Sequence, residues 1–554
     1  MSVAADSGRG TLVADQIAEL LAAEGVEFIV GFPENRLLNA AALVGIRPII
    51  ARTERVAVNI ADGFARVTGG RRFGACAVQY GPGAEAVFGA VAQAYGDRTP
   101  ILVLPSEYSR REQAVEPNFR TTDAFRQITG WATAVNDPAQ LSETFRRAFA
   151  MLRGRPAVGP VLVSLATDLL WEERDEPLAP YTPVPTKLFG PCEADVRDLV
   201  DALVSAETPV IVAGQGILYA EAWDELRELA ELRGIPVATT LNGKSAFPEN
   251  HPLALGTMGR SRPATVDEFF ERADVILGVG TSFTRSDYLR ELPSRARLGQ
   301  IVDDARDLAK NHDIEFGCVG DARLALQQVL AELRNRRLAE PTRNRSEQRI
   351  RELRASFRDD WRERLECDTA PISPYRIVHE LNETVDRSRT VVTHDAGNPR
   401  DQMLPFYEAL VPHGYIGWGK TTQLGTGLGL AMGARLARPD WLAVNLMGDA
   451  AFGMVGMDFE TAVRCDLPVL TIVMNNGVMG GYGRYMPDAV DRYRSNRVGG
   501  DYSVIARSLG GHGERVTHPG DLRPALERAI GSVETGTAAL LEVMTREEPE
   551  FPLG

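Results

Sequence analysis

Disulfide frameworks, zinc sites and membrane spans are all poorly served by this sequence. Its five cysteines, Cys76, Cys192, Cys318, Cys367 and Cys465, are scattered over 554 residues with no CxxC pair. That excludes a disulfide scaffold and a zinc knuckle, and fits reduced thiols in a cytoplasmic protein. The seven histidines form no HExxH or HxxxH, and none precedes His251. No apolar run reaches the roughly 18 residues that a membrane helix requires, and Met1 to Gly10 lack the basic and apolar segments of a leader. Positive charge is also short: 61 Lys and Arg against 75 Asp and Glu leave a net charge of -14. Neither nucleic acid nor an anionic membrane is an expected partner. A phosphate-bearing ligand must therefore be held locally, by backbone N–H groups, a metal or selected arginines.

What is present, 44% hydrophobic and 25% charged residues, describes a globular chain with room for three domains at about 150 to 200 residues each. Thr11 reads as the N-cap of a helix with apolar Val13, Ile17, Leu20, Leu21 and Ala23, stopped at Gly25. Short apolar strands (Glu27 to Val30, Pro48 to Ala51, Gly74 to Val78, Ile101 to Leu104) then alternate with amphipathic helices (Val56 to Arg66, Ala84 to Tyr95). This alternation predicts an α/β fold with parallel sheets flanked by helices. Pro177, Pro180, Pro183, Pro185 and Pro191 mark an extended linker. A second α/β unit follows, with strands Val210 to Ala213, Ile235 to Thr239 and Val275 to Val279. A charged helix from Ser346 to Glu366, without a strong apolar face, is expected to bridge domains. The last unit has strands Thr390 to Thr393, Leu442 to Leu446 and Val469 to Met474. The expected domains are 1-175, 190-335 and 370-554.

The most informative stretch is Gly448-Asp449-Ala450-Ala451-Phe452, followed by a helix from Met457 to Arg464, a strand, and Asn475-Asn476. A right-handed crossover would bring Asp449 and Asn476 together at the carboxyl edge of the sheet, where open α/β sheets bind ligands. A carboxylate, an amide oxygen and the Val478 carbonyl leave about three of six octahedral positions for phosphate oxygens and water, as a magnesium on a diphosphate prefers. A lone GD or NN would be read as turn chemistry; the pair at this spacing is far less common.

The Gly448-Asp449 to Asn476 pattern resembles the signature of thiamine-diphosphate-dependent enzymes, the superfamily of acetolactate synthases, pyruvate decarboxylases and oxalyl-CoA decarboxylases. The resemblance covers almost the whole chain. It implies an N-terminal pyrimidine-binding domain, a central domain and a C-terminal diphosphate-binding domain. It also implies thiamine diphosphate with Mg2+ on Asp449, Asn476 and Val478, the Ala450 and Ala451 N–H groups meeting the diphosphate, and Asn398 reaching it from Asp395-Ala396-Gly397-Asn398. Glu54, in Arg52-Thr53-Glu54-Arg55, matches the glutamate that bonds the pyrimidine ring and favours the imino tautomer, which removes the thiazolium C2 proton. In Gln423-Leu424-Gly425-Thr426-Gly427-Leu428-Gly429, Leu424 would wedge between the two cofactor rings and Thr422 would offer its carbonyl to the amino group. The arrangement implied is a homodimer or homotetramer, with the first domain of one subunit facing the third of another.

Two other motifs carry less. Asn242-Gly243-Lys244-Ser245 looks like the end of a P-loop, but Ala238 stands where the first glycine is required. Gly278-Val279-Gly280 lacks its third glycine at Phe283, which leaves an ADP or CoA moiety at the central domain as an open expectation.

For the substrate, the absence of an early histidine pair removes pyruvate decarboxylase. Phe119 is followed by Arg120 where acetolactate synthases carry Phe-Gln. Val78 to Glu85, Gly425 to Gly429 and Met479-Gly480-Gly481-Tyr482 are similar to actinobacterial 2-hydroxyacyl-CoA lyases. That implies a small-molecule CoA thioester cleaved to a ketone or aldehyde plus formyl-CoA, or the reverse condensation. Asp491 stands where similar lyases place a glutamate acid/base, and reads equally as a solvated helix charge; Gln113, Gln127 and Arg120 are polar candidates from the first domain. The alternatives are a 2-oxo acid decarboxylase/carboligase of the acetolactate synthase type, and a member that has lost catalysis. Joint presence of Glu54, Asp449 and Asn476 speaks against the last.

Overall fold

The computed structural model describes residues 11-174, 180-183, 185-336 and 343-553. Met1 to Gly10, Pro177 of the expected linker and the final Gly554 lie outside the described residues. Thr11 does not cap the first helix. It pairs with Arg174, and Leu12 with Glu173, in a short antiparallel ribbon. Helix α1 (Val13–Ala23) starts behind that ribbon, and Asp15 Oδ2 accepts the Leu12 N–H at 3.1 Å.

Three six-stranded sheets carry the fold, each parallel throughout. The first contains β1 (Phe28–Phe32), β2 (Arg47–Ile50), β3 (Gly74–Val78), β4 (Ile101–Glu107), β5 (Trp131–Val135) and β6 (Val161–Ala166) in the order β2-β1-β3-β4-β6-β5. The second contains β7 (Pro209–Ala213), β8 (Val237–Thr239), β9 (Ala254–Thr257), β10 (Val275–Val279), β11 (Arg297–Val302) and β12 (Phe316–Val319), ordered β9-β8-β7-β10-β11-β12. The third contains β13 (Thr390–His394), β14 (Tyr415–Ile416), β15 (Leu442–Gly448), β16 (Leu470–Asn475), β17 (His512–Val516) and β18 (Ala539–Met544) in the order β14-β13-β15-β16-β18-β17. The first and third sheets thus share one topology. Central strands such as β3 and β16 are buried along their whole length, which is why they read as continuous apolar runs.

By compactness the chain divides into two units, Met1–Ala65 with Arg72–Thr186, and Arg66–Arg71 with Lys187–Gly554. The first unit holds one sheet and α2 (Glu54–Val67) up to Ala65, together with α3 (Pro82–Gly96). The second unit holds the other two sheets, bridged by the long helix α4 (Arg343–Leu365). Ile350 of α4 enters the core of the middle domain, and Arg354 donates to the carbonyls of Glu249, His251 and Ala254. One to two turns later, Phe357 stacks on Phe406 at 5.3 Å and Trp361 meets Tyr375 edge-on at 5.0 Å. A short aromatic stripe therefore does the bridging that a long apolar face would otherwise do. Among the described residues no helix is long and apolar enough to cross a membrane.

The P-loop-like lysine proves structural. Lys244 Nζ is buried and donates to both oxygens of Glu249 at 2.6 Å and to Leu404 O at 3.2 Å. Glu249 also accepts the Ala409 N–H at 2.8 Å, so this ion pair joins the middle domain to the segment between β13 and β14. Burial pulls the Lys244 pKa down, against the Glu249 charge that holds it up. Lys244→Met should destabilise the second unit by about 3 to 5 kcal/mol, because it leaves the Glu249 carboxylate buried without its cation. Urea unfolding checks this, and an unchanged midpoint would show the pair to be dispensable.

Candidate functional site

The third sheet has one point where successive connections depart in opposite directions. From β13 the chain goes to β14 on one side, then returns to β15 on the other. Open parallel sheets bind ligands outside the carboxyl ends of the strands at such a point. Three loops gather there, after β13, β15 and β16. The first begins at Asp395 and leads into α5 (Asn398–Met403). The second passes into α7 (Asp449–Val455), a helix not expected from sequence; Gly456–Asp458 forms a 3-10 turn before α8 (Phe459–Arg464), the helix expected from Met457 to Arg464. The third runs from Asn475 to Gly481.

Asp449 is 3% exposed, and its carboxylate ties two of these loops together. Oδ1 accepts the Ala450 N–H and Oδ2 the Gly477 N–H, both at 2.8 Å. Burial pushes its carboxyl above the ordinary carboxylate range, with backbone N–H donors pulling the other way. No lysine or arginine among the described residues forms an ion pair with it. Asn476 Oδ1 accepts the Val478 N–H at 3.0 Å. Val478 faces Arg497 in an isolated bridge closed by Met479 N–H to Asn496 O and Val498 N–H to Gly477 O. In such a pair the N–H and C=O of Val478 itself point away from Arg497, on the side of the Asn476 amide. Asn398 borders the same loop, since a Cβ on Gly480 would lie 2.5 Å from Asn398 Nδ2.

A buried carboxylate without a cationic partner, an amide oxygen and a carbonyl suit a hard divalent cation. Among the described residues no three His, Cys, Asp or Glu side chains converge as a metal site. A cation on Asp449, Asn476 and Val478 would therefore need oxygens from a second ligand, which is what a diphosphate offers. The Ala450 N–H expected to meet the diphosphate is already taken by Asp449; Ala451 follows it in the first turn of α7.

Thr422 and Leu424 are half-buried just before α6 (Thr426–Ala437). Asp395, which sequence reasoning passed over, fixes that turn: its carboxylate accepts the N–H groups of Gly425 at 2.8 Å and Gly427 at 3.0 Å. His394 beside it stacks on Trp418 and is pushed down to about 3, by burial first and then by Arg400, so it stays neutral. Asp491 is exposed on α9 (Pro487–Tyr493).

In the first unit, Glu54 opens α2 after β2 and is half-buried. Gly83 lies beside it, since a Cβ there would be in van der Waals contact with Glu54 Oε1 at 3.5 Å. Its charge is felt by Cys76 beneath, whose thiol is raised by burial first and by Glu54 second. Two more buried carboxyls stand at the same sheet edge and were missed from sequence. Glu34 accepts the Leu37 N–H at 3.4 Å, and both Glu34 and Glu107 are raised chiefly by burial. Gln113 is occupied locally, donating to Tyr108 O and Asn136 Oδ1, while Gln127 and Arg120 are exposed.

The corresponding crossing of the middle sheet, between β7 and β10, is closed by backbone. Gly216 N–H donates to Gly280 O at 2.9 Å, and a Cβ on Gly216 would lie 2.6 Å from Gly280 Cα. These glycines let the two loops pack directly on each other.

Family comparisons match the chain in three consecutive stretches: the N-terminal TPP binding domain of thiamine pyrophosphate enzymes over residues 11–130, their central domain over 196–329, and their C-terminal TPP binding domain over 395–543. A probable acetolactate synthase large subunit of Methanocaldococcus jannaschii is 30% identical, covering 94% of this chain and 90% of that protein. The acetolactate synthase isozyme 3 large subunit of Escherichia coli is 27% identical, covering 96% and 94%. A sulfoacetaldehyde acetyltransferase of Alcaligenes xylosoxydans xylosoxydans is 28% identical, covering 96% and 93%. With all three domains matched in order and 30% identity held over nearly the full length of a relative, the chain belongs to the thiamine pyrophosphate enzyme family.

Proposed function

We propose that the protein is a Mg2+- and thiamine-diphosphate-dependent carboligase that decarboxylates a 2-oxo acid and joins the remaining fragment to a second acceptor, as the names of its acetolactate synthase relatives imply. The observation that carries the cofactor reading is the buried carboxylate of Asp449 at the strand crossing, with no lysine or arginine partner among the described residues and bonded to Gly477 beside Asn476. Thiamine diphosphate (pyrophosphate) supplies a carbon nucleophile and takes up the electrons left when a C–C bond breaks. The chain's own part is to bind and orient. Asp449, Asn476 and Val478 would hold the metal and through it the diphosphate, Asn398 would border the phosphate, and Leu424 and Thr422 would set the ring conformation from a turn pinned by Asp395. Glu54 would hold a proton against the pyrimidine nitrogen. The assembly proposed is a homodimer or homotetramer in which Glu54 of one copy serves the cofactor bound by another.

One feature supports a 2-oxo acid over the 2-hydroxyacyl-CoA thioester that the sequence resemblance favoured. The relatives are named for acetolactate synthesis and sulfoacetaldehyde acetyl transfer. Asp491 then has no part in proton transfer to or from the substrate. Incubation with pyruvate, oxalyl-CoA and 2-hydroxyacyl-CoA thioesters, read by product mass, should yield CO2 and a ligated product from the 2-oxo acid and no formyl-CoA. Asp491→Asn should leave kcat within about twofold, whereas a positioned acid or base there would cost about 10² to 10⁴. Formyl-CoA release together with that loss would restore the lyase.

A further inference from the structure

Behind the Asp449 loop lies a buried polar chain that reaches the surface. Glu542, on β18, is 0% exposed, yet four N–H groups enter its carboxylate. Oε1 accepts from Asn475 Nδ2 at 2.7 Å and Arg515 Nη2 at 2.9 Å; Oε2 accepts from Ser503 N and Arg515 Nε, both at 3.0 Å. Strand register explains the meeting. Val473 pairs with Glu542, and Arg515 with Glu542 on the other side, so Asn475, two residues beyond Val473, lies on the same face as a diagonal neighbour.

The consequence turns on donor and acceptor inventory. A carboxylate only accepts, so it commits the Asn475 NH2 group to itself and leaves Asn475 Oδ1 as the end facing the loop. That oxygen accepts the Gly477 N–H at 3.1 Å, the same N–H that Asp449 Oδ2 accepts at 2.8 Å. Gly477 stands at φ +71° between Asn476 and Val478. If the Asn475 amide were reversed, its NH2 group would meet the Gly477 N–H, donor against donor, and press on the turn that presents both neighbours.

We propose that Glu542 is a positioning residue for the metal loop, acting through the orientation of the Asn475 amide. The inference rests on the metal reading given above. In Glu542→Gln, Arg515 claims the single amide oxygen, the new NH2 faces Asn475, and the Asn475 amide turns its NH2 toward Gly477.

The test is the Mg2+ dependence of thiamine diphosphate binding to stripped protein, followed by tryptophan fluorescence, with circular dichroism to establish folding. Glu542→Gln should weaken the apparent Mg2+ affinity about ten- to hundredfold, the usual effect of losing an outer partner of a metal site. Asn475→Ala loses one shared acceptor and has no amide to reverse, so about a two- to fivefold loss is expected. The double variant should match Asn475→Ala, and thus bind better than Glu542→Gln alone. A folded Glu542→Gln protein with wild-type Mg2+ affinity overturns the proposal, as does a double variant as weak as that single one. If Glu542→Gln does not fold, the joint replacement Glu542→Met with Arg515→Met removes both charges and spares the core; with no group left to turn the Asn475 amide it should lose no more Mg2+ affinity than Asn475→Ala, and a ten- to hundredfold loss there overturns the proposal. Wild-type protein that binds thiamine diphosphate without any divalent cation would instead sink the metal reading, and this inference with it.

Discussion

Asp449→Ala protein should lose Mg2+-dependent retention of thiamine diphosphate altogether, while remaining folded. The carboxylate is the one charged group in the proposed set, and without it only the neutral oxygens of Asn476 and Val478 remain for a cation. Its two accepted N–H bonds are worth about 1 kcal/mol each, too little to unfold the second unit. Burial also raises its carboxyl, so removing an ion that desolvation disfavours offsets part of that loss. Thermal denaturation with and without cofactor separates the two effects. At a ligand concentration of about 100 Kd the wild-type protein should gain about 2.7 kcal/mol of apparent stability, and the variant none. An undiminished gain in the variant would remove Asp449 from the site.

Glu54→Gln should bind thiamine diphosphate nearly as well as wild type, yet exchange the thiazolium C2 proton about 10² to 10⁴ times more slowly. The substitution is isosteric, and the space beside Gly83 that admits the carboxyl admits the amide. What changes is the proton: a neutral amide does not stabilise a protonated pyrimidine nitrogen. Exchange followed by NMR after rapid acid quench gives the rate directly, without reference to any substrate. Wild-type exchange would return Glu54 to the role of a first-turn acid at a helix N-terminus.

The parts of the fold that were legible in the sequence are those set by local pattern. Strands Gly74–Val78 and Val275–Val279 have the bounds that their apolar runs define, because a strand buried on both faces has no polar side to blur its ends. The meeting of Asp449 and Asn476 was readable for a related reason: each stands next to the end of a strand, and parallel topology alone carries them to one edge. What stayed hidden depends on partners remote in sequence. Thr11 fails as a cap because the chain near residue 174 pairs with it. Asp395 reads as part of a loop until its acceptors meet Gly425 and Gly427, thirty residues on. Glu542 looks like a polar interruption of a strand until Arg515 and Asn475 flank it. Lys244 carried a misleading local motif, whose actual partners lie at Glu249 and Leu404.

The Lys244 and Glu249 pair also bears on how such proteins can be recombined. A segment cut at the limits of the matched central domain, 196–329, carries both charges away from Leu404 and Ala409, which cover and hydrogen-bond them, and away from Arg354 of the bridging helix. Grafted into a relative, that module would bring a desolvated ion pair to a surface shaped by another sequence. Exchange of the middle domain between family members therefore has its natural seams beyond the matched segment, with the bridging helix and the stretch from Leu404 to Ala409 travelling as part of the graft.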